Sequence, residues 1–351
     1  MRFVLIGSLI ALSATCSPMP TQGSAGGGSG TSGGGDASGG GSGATGGGSG
    51  TSGGGQAGGG QGGGAGGGLA LTCARCTTWG PANPGLPIQD PELVELSGLA
   101  ASRAHPGVLW AHNDSGDTAR FFAVSDTGKA LGRFELPGAT AIDWEDIALG
   151  PCPAGTCLYL ADIGDNALKR GVYTVYRVTE PNVAVDAVFT VQNVQWDAFS
   201  FQYPGGEKNN AETLMVHPTE GDLYVVSKQA AGVPSRVFRF PRPLDASTTV
   251  TLVPVATLTI PGPTDSPMTG GDINPCGNAI LLRMYNRLVE LRLTPGAAFE
   301  TIFSATPRDV PVAEEVQGEA VTWAPDGRGY ATSSEKVANS IPSIDLVGCQ
   351  D

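Results

Sequence analysis

Basic residues are scarce in this sequence and histidine is nearly missing: 20 Lys and Arg stand against 33 Asp and Glu, with 3 His, for a formal charge of −13. No Lys/Arg cluster occurs anywhere. A phosphate backbone would be repelled, so nucleic acid is not an expected partner. With so few His, zinc lacks its usual ligands, and a Ser-His-Asp triad is poorly supported. No run beyond Leu12 is long and apolar enough to span a bilayer as a helix. Helical periodicity is also scarce. What is abundant is glycine, 54 residues concentrated in a run that ends at Gly68, and acid. An acidic surface suits plain solubility or a bound cation.

The N-terminus reads as an address. Arg2 is followed by an apolar stretch from Phe3 to Leu12, then by Ser13-Ala14-Thr15 and Cys16. The apolar stretch is too short to span a membrane and fits a secretory signal. The arrangement resembles a bacterial lipoprotein signal, in which the cysteine is acylated and becomes the new N-terminus. That resemblance implies lipidation at Cys16 and an exported, membrane-anchored protein in the cell envelope. Cleavage by an ordinary signal peptidase near Ser13 or Ala14 is the alternative. Residues 22–68 are Gly, Ser, Ala, Thr and Gln with a single Asp36. Such a segment cannot bury enough apolar surface to offset its ordering entropy. It predicts a flexible coil of about 35–40 Å root-mean-square span. The expected organisation is a signal segment over 1–16, a linker over 17–68 and one folded domain over 69–351.

Setting Cys16 aside leaves Cys73, Cys76, Cys152, Cys157, Cys276 and Cys349. In an exported protein this even number predicts up to three disulfides. Cys152 and Cys157 flank a short turn and are expected to clip one hairpin. The other four allow three pairings. Cys73-x-x-Cys76 has no second CxxC to complete a zinc site, and no βαβ pattern surrounds it, so a structural role is expected.

From residue 90 onward one unit recurs. A small or acidic pair opens a short apolar strand, a Pro-containing turn follows, and a second strand returns. The copies align on Leu99, Ile147, Leu214, Ile273 and Val321, with second strands such as Leu158–Ala161 and Ala279–Leu282. Third strands are expected at 120–124, 172–178, 235–240 and 287–293. Fourth strands are expected at 132–136, 199–203, 253–260 and 299–303. Four short strands per period of about 50 residues predict an all-β propeller. Five blades are counted, and a sixth has room between Ile147 and Leu214. Residues 91–95 are expected to supply the outer strand that the incomplete fifth copy lacks.

The segments Asp143-Trp-Glu-Asp-Ile, Asp162-Ile-Gly-Asp-Asn166, Asn210-Ala-Glu-Thr-Leu and Gln317-Gly-Glu-Ala-Val resemble signatures of bacterial exported β-propellers. These belong in style with the phytase-like, esterase-like and gluconolactonase-type proteins. The resemblance spans about residues 92–347 and implies calcium on the face where inner strands begin. In a blade, residues that open strand one and close strand two meet around the central channel. Here those positions are acidic: Asp143, Glu145, Asp146, Glu212, Asp272 and Glu319 open strands, and Asp162 and Asp165 close one. Asp114, His112 and Glu335 fall there too. Crowded carboxylates repel unless neutralised, and calcium takes such oxygen ligands with loose geometry. Lys228 and Arg283, read as equivalent blade positions, would either pair with these carboxylates or hold an anion. Two functions follow. In one, a tethered, monomeric binding module takes a small molecule or protein through its calcium face. In the other, a calcium-dependent hydrolase acts on phosphate esters or lactones.

Overall fold

The computed structural model describes residues 71–230, 232–261, 267–315, 317–336 and 341–351, which belong to the second of the chain's two units, residues 64–351. The expected signal segment, Cys16 and the linker lie outside the described residues.

Five antiparallel sheets follow one another along the chain as blades. Blade 1 holds β1 (Leu96–Ala101), β2 (Val108–Asn113), β3 (Arg120–Ser125) and β4 (Ala130–Glu135). Blade 2 holds β5 (Trp144–Cys152), β6 (Gly155–Asp162), β7 (Tyr173–Thr179) and β9 (Trp196–Gln202). Blade 3 holds β10 (Ala211–Val216), β11 (Leu223–Ser227), β12 (Ser235–Arg239) and β14 (Val253–Leu258). Blade 4 holds β15 (Met268–Ile273), β16 (Ala279–Met284), β17 (Arg287–Arg292) and β18 (Arg308–Val310). Blade 5 holds β19 (Gly318–Trp323), β20 (Gly329–Ser334) and β21 (Asp345–Gly348). The inner strands β1, β5, β10, β15 and β19 neighbour one another in a closed ring. The protein is a five-bladed β-propeller.

Each blade is sandwiched between two others, so inner strands are buried on both faces and read as nearly unbroken apolar runs. Alternation then assigns each residue to one neighbour. Along β6, Leu158 and Leu160 pack toward blade 1, whereas Tyr159 and Ala161 pack toward blade 3. Five apolar clusters result, one at each boundary between adjacent blades. Trp110, Trp144 and Trp323 belong to these clusters, as blade-packing residues should.

The long interval between Ile147 and Leu214 holds no sixth blade. It contains β8 (Thr190–Asn193), which pairs in parallel with β4 on the outer edge of blade 1. Likewise β13 (Val250–Thr251) pairs in parallel with β9 of blade 2. Two expectations are corrected. Residues 299–303 form a 3-10 helix, Phe299–Ser304, and the fourth strand of blade 4 is β18. Ile302 and Phe303 turn inward from that helix, and Phe299 packs beside them, at a spacing of three to four rather than two.

Blade 5 is completed by residues 79–87, not 91–95. Trp79, Asn83 and Pro87 bridge antiparallel to Cys349, Leu346 and Ser343. Asn83 N donates to Leu346 O at 2.9 Å, and Leu346 N returns to Asn83 O at 3.1 Å. Pro81, Pro84 and Pro87 cannot donate to a ladder, so this outer edge stays a series of separate bridges. Disulfides tie the same segment down. Cys73 bonds Cys276 of blade 4 and Cys76 bonds Cys349 of blade 5, while Cys152 and Cys157 close their hairpin as expected.

Candidate functional site

Every inner strand carries a bulge at its second residue. The register slips between Leu96 and Gly98, Trp144 and Asp146, Ala211 and Thr213, Met268 and Gly270, and Gly318 and Ala320. The residues left unpaired are Ser97, Glu145, Glu212, Thr269 and Glu319, all buried. A bulge re-aims its extra side chain and ends regular pairing. In blades 1 and 4 that side chain is a hydroxyl bonded to the next blade. Ser97 Oγ donates to Glu145 O at 2.6 Å and Thr269 Oγ1 to Gly318 O at 3.0 Å. In blades 2, 3 and 5 it is a carboxylate, and Glu212 lies within the electrostatic reach of both Glu145 and Glu319.

The bulges correct the repeat alignment in blade 4. Gly271, not Ile273, is the counterpart of Leu99, Ile147, Leu214 and Val321, because Thr269 occupies the bulge. Asp272 therefore does not open its strand. It sits near the far end of β15, where its carboxylate accepts Trp323 N at 2.8 Å and Thr322 Oγ1 at 3.1 Å from blade 5. Asp146 likewise ties blades together, accepting Ile147 N at 2.8 Å and, across the boundary, Leu214 N at 2.9 Å. Asp162 and Asp165 organise the loop after β6. Asp162 accepts Asp143 N at 3.1 Å and Arg170 Nη1 at 2.7 Å. Asp165 accepts Lys169 N and Arg170 N, each at 2.8 Å, and Tyr173 OH at 3.0 Å. Of the eight expected ligands, Asp143, Glu145, Glu212 and Glu319 keep side chains that accept no main-chain hydrogen bond among the described residues.

The two expected anion-binding cations do not occupy equivalent positions. Thr213 faces Val226 while Gly270 faces Arg283, so Arg283 matches Val226 and Lys228 lies two residues further along. Lys228 Nζ pairs with Glu212 and donates to Tyr285 OH at 2.9 Å. Burial works against its charge, but the Glu212 carboxylate holds the ammonium above its ordinary pKa. Arg283 is fully buried and pairs with Glu315, which also accepts Thr332 Oγ1. Gly318 makes room for it, since a Cβ there would stand 1.5 Å from Arg283 Nη2. Both cations are paired with a carboxylate, although Arg283 Nε and Nη1 are buried without a hydrogen-bond partner.

The carboxylates that converge are Asp114, Asp143 and Glu145, whose oxygens lie within 4.8 Å of one another. Asp114 follows β2, Asp143 precedes β5, and Glu145 is the blade 2 bulge. The main chain fixes Asp143 from both sides. Asp162 holds its N–H, and Ile163 N and Gly164 N each donate to Asp143 O at 3.1 Å. Gly164 is also what lets the group close up: a Cβ there would lie 2.0 Å from Glu145 Oε1 and 2.4 Å from Asp143 Oδ2. Neither Asp143 nor Glu145 has a side-chain hydrogen bond or ion pair among the described residues.

Burial pushes these acids up, and mutual repulsion adds to it. Asp143 rises to about 6, with Asp114 the next contributor. Glu145 rises well above the usual range through burial and then Glu212. Glu212 is pushed to about 7 against the pull of Lys228. Glu319 reaches about 9 through burial and then Glu212, and Glu335 about 7 through burial and then Asp114. Gln317 Nε2 bridges the last two, donating to Glu319 Oε1 at 3.1 Å and to Glu335. His112 does not join them. It is buried edge-on against Trp144 at 5.7 Å, and burial lowers it to about 4, so it stays neutral.

An all-carboxylate donor set with oxygens this close together fits a hard divalent cation. The other grouping of candidate ligands, Cys76, Cys349 and Asp351, is not such a site, since its two sulfurs form a disulfide. Asp114 was among the acidic positions in the sequence but outside the expected ligand set. Glu315 and Tyr285 carried no repeat signal, because they lie in loops whose position only the folded ring defines.

No protein-family model and no curated protein matches the chain. Fold and site together define a five-bladed propeller whose bulged inner strands gather carboxylates at one end of the ring.

Proposed function

We propose that this propeller is an exported, envelope-anchored binding module whose acidic channel mouth takes calcium at Asp114, Asp143 and Glu145. The bound cation would organise the surface that receives a small molecule or protein. The observation that carries the reading is the convergence of these carboxylates over Gly164 without a basic partner. Uncompensated, they repel; a divalent cation turns that repulsion into binding energy. The hydrolase reading needs a free cation beside the metal to hold an anionic substrate. Lys228 is paired with Glu212, and Arg283, paired with Glu315 through Nη2 alone, is fully buried out of a substrate's reach, so binding is the reading with support.

Gly164→Ala tests the site without changing any charge. The added methyl would drive Glu145 and Asp143 apart, and calcium affinity measured by isothermal titration should fall at least about tenfold, roughly 1.4 kcal/mol. An unchanged affinity would place the ion elsewhere or remove it. Anchoring is tested separately. Cys16→Ser should move the protein from the membrane fraction to the soluble fraction, and unaltered fractionation would reject lipidation at that residue.

A further inference from the structure

One cation is built into the acidic mouth. Lys228 follows β11, and its main-chain N–H donates to Asn210 O at 2.9 Å. Its ammonium pairs with Glu212, donates to Tyr285 OH at 2.9 Å and lies over the Tyr285 ring, 5.0 Å from the centroid. The side chain is 16% exposed and held at both ends, so its charge stays in the mouth. The field of that charge reaches Asp114 and Glu145, two of the three carboxylates assigned to calcium, and also Glu319 and Glu335. The two places are tied mechanically as well. Asn210 Oδ1 accepts Asp165 N at 2.7 Å, and Asn210 Nδ2 donates to Asn166 Oδ1 at 3.1 Å. These bonds anchor the loop that carries Gly164 to the start of β10, where Glu212 stands.

A fixed ammonium and a calcium ion draw on the same carboxylate field. Like charges repel, and in a partly buried site salt screens them little. The affinity of an oxygen-ligand calcium site follows the charge gathered around it. We propose that Lys228 is a resident competitor of calcium: a tethered ammonium that partly neutralises the carboxylates in the ion's absence, holds calcium affinity down and so keeps the ion releasable. The lysine acts from outside the coordinating group, through its charge and not through contact with the ion. The inference rests on the calcium site at Asp114, Asp143 and Glu145, and its test separates the two.

The test is calorimetric titration of calcium chloride into the wild-type protein and its variants. Lys228→Met should bind calcium at least about tenfold tighter than wild type, and Lys228→Arg, which keeps the charge, should stay within about threefold of it. A purely structural lysine predicts the reverse, since losing its hold on Glu212 would loosen the mouth and weaken binding. Should Lys228→Met fail to fold, Glu212→Gln with and without it decides, because the Glu212 carboxylate is then not left buried without its partner. The double variant should bind at least about tenfold tighter than Glu212→Gln alone. Equal or weaker binding on loss of the lysine in either background, or equal tightening by Lys228→Arg, would overturn the proposal and leave the calcium site standing. Binding by Lys228→Met with none by wild type would support the competitor and reject calcium as the wild-type ligand. No binding by either would overturn both.

Discussion

Replacing Cys76 and Cys349 by Ser will lower the unfolding free energy by ~4 kcal/mol, measured by urea denaturation under non-reducing conditions. A propeller is a ring, and its weakest point is where the first and last segments join. Here the join depends on residues 79–87, whose prolines prevent a continuous ladder, so the edge holds few main-chain bonds of its own. The bridge from Cys76 to Cys349 spans 273 residues of sequence and the one from Cys73 to Cys276 spans 203. With the second intact, the first still closes a path of roughly 75 residues, and loop-closure entropy gives the quoted figure. In a domain of this size the melting temperature should fall by about 5–10 °C. Replacing Cys152 and Cys157, only 5 residues apart, should cost about 2 kcal/mol by the same relation. If the two double variants lose equal stability, closure by the N-terminal segment is not what holds the ring.

Without a cation, the protein will lose stability as pH rises from about 5 to about 9, and calcium will offset the part of that loss that arises at its own ligands. Folded Asp143 titrates near 6, Glu212 and Glu335 near 7 and Glu319 near 9, all above their ordinary carboxylate values. A carboxyl whose pKa is raised by folding holds its proton more tightly in the folded state. Its contribution is complete below the unfolded value and disappears as pH climbs through the folded one. One pKa unit corresponds to ~1.4 kcal/mol, so these groups together amount to several kcal/mol even after discounting for solvent screening. Lys228 offsets part of this at Glu212. Calcium binds only ionised carboxylates, so its affinity should rise across the same window. Chemical denaturation at pH 5, 7 and 9, with chelator and with calcium, checks both slopes. A chelated protein whose stability rises with pH would contradict the assignment.

The fold was legible because blade-level signals are local. Apolar strand pairs separated by Pro turns, as at Leu158–Ala161 after Pro151, repeat without reference to the rest of the ring. Several features were not legible. Blade 4 opens with Met268-Thr269-Gly270, which lacks the bulge glutamate of its neighbours. Asp272 was therefore read as the strand start, although it serves the far end. The bulges explain the second failure. A one-residue slip decides whether Glu145 or Asp146 leaves the ladder. Adjacent acids that look alike in sequence thus have opposite fates, one at the channel mouth and one tying blade 2 to blade 3. Asp162 and Asp165 mislead similarly, because carboxylates that accept main-chain N–H groups are as acidic in composition as free ones. The closing segment was placed a dozen residues late, since its prolines hide an edge strand.

The central claim is that Asp114, Asp143 and Glu145 hold a divalent cation. The most direct measurement is a pair of thermal melts at pH 8, one in chelator and one in excess calcium. Calcium at a hundred times its dissociation constant should add ~2.7 kcal/mol, raising the melting temperature by about 5 °C, and Gly164→Ala should lose most of that increase. Superimposable wild-type curves would contradict the claim.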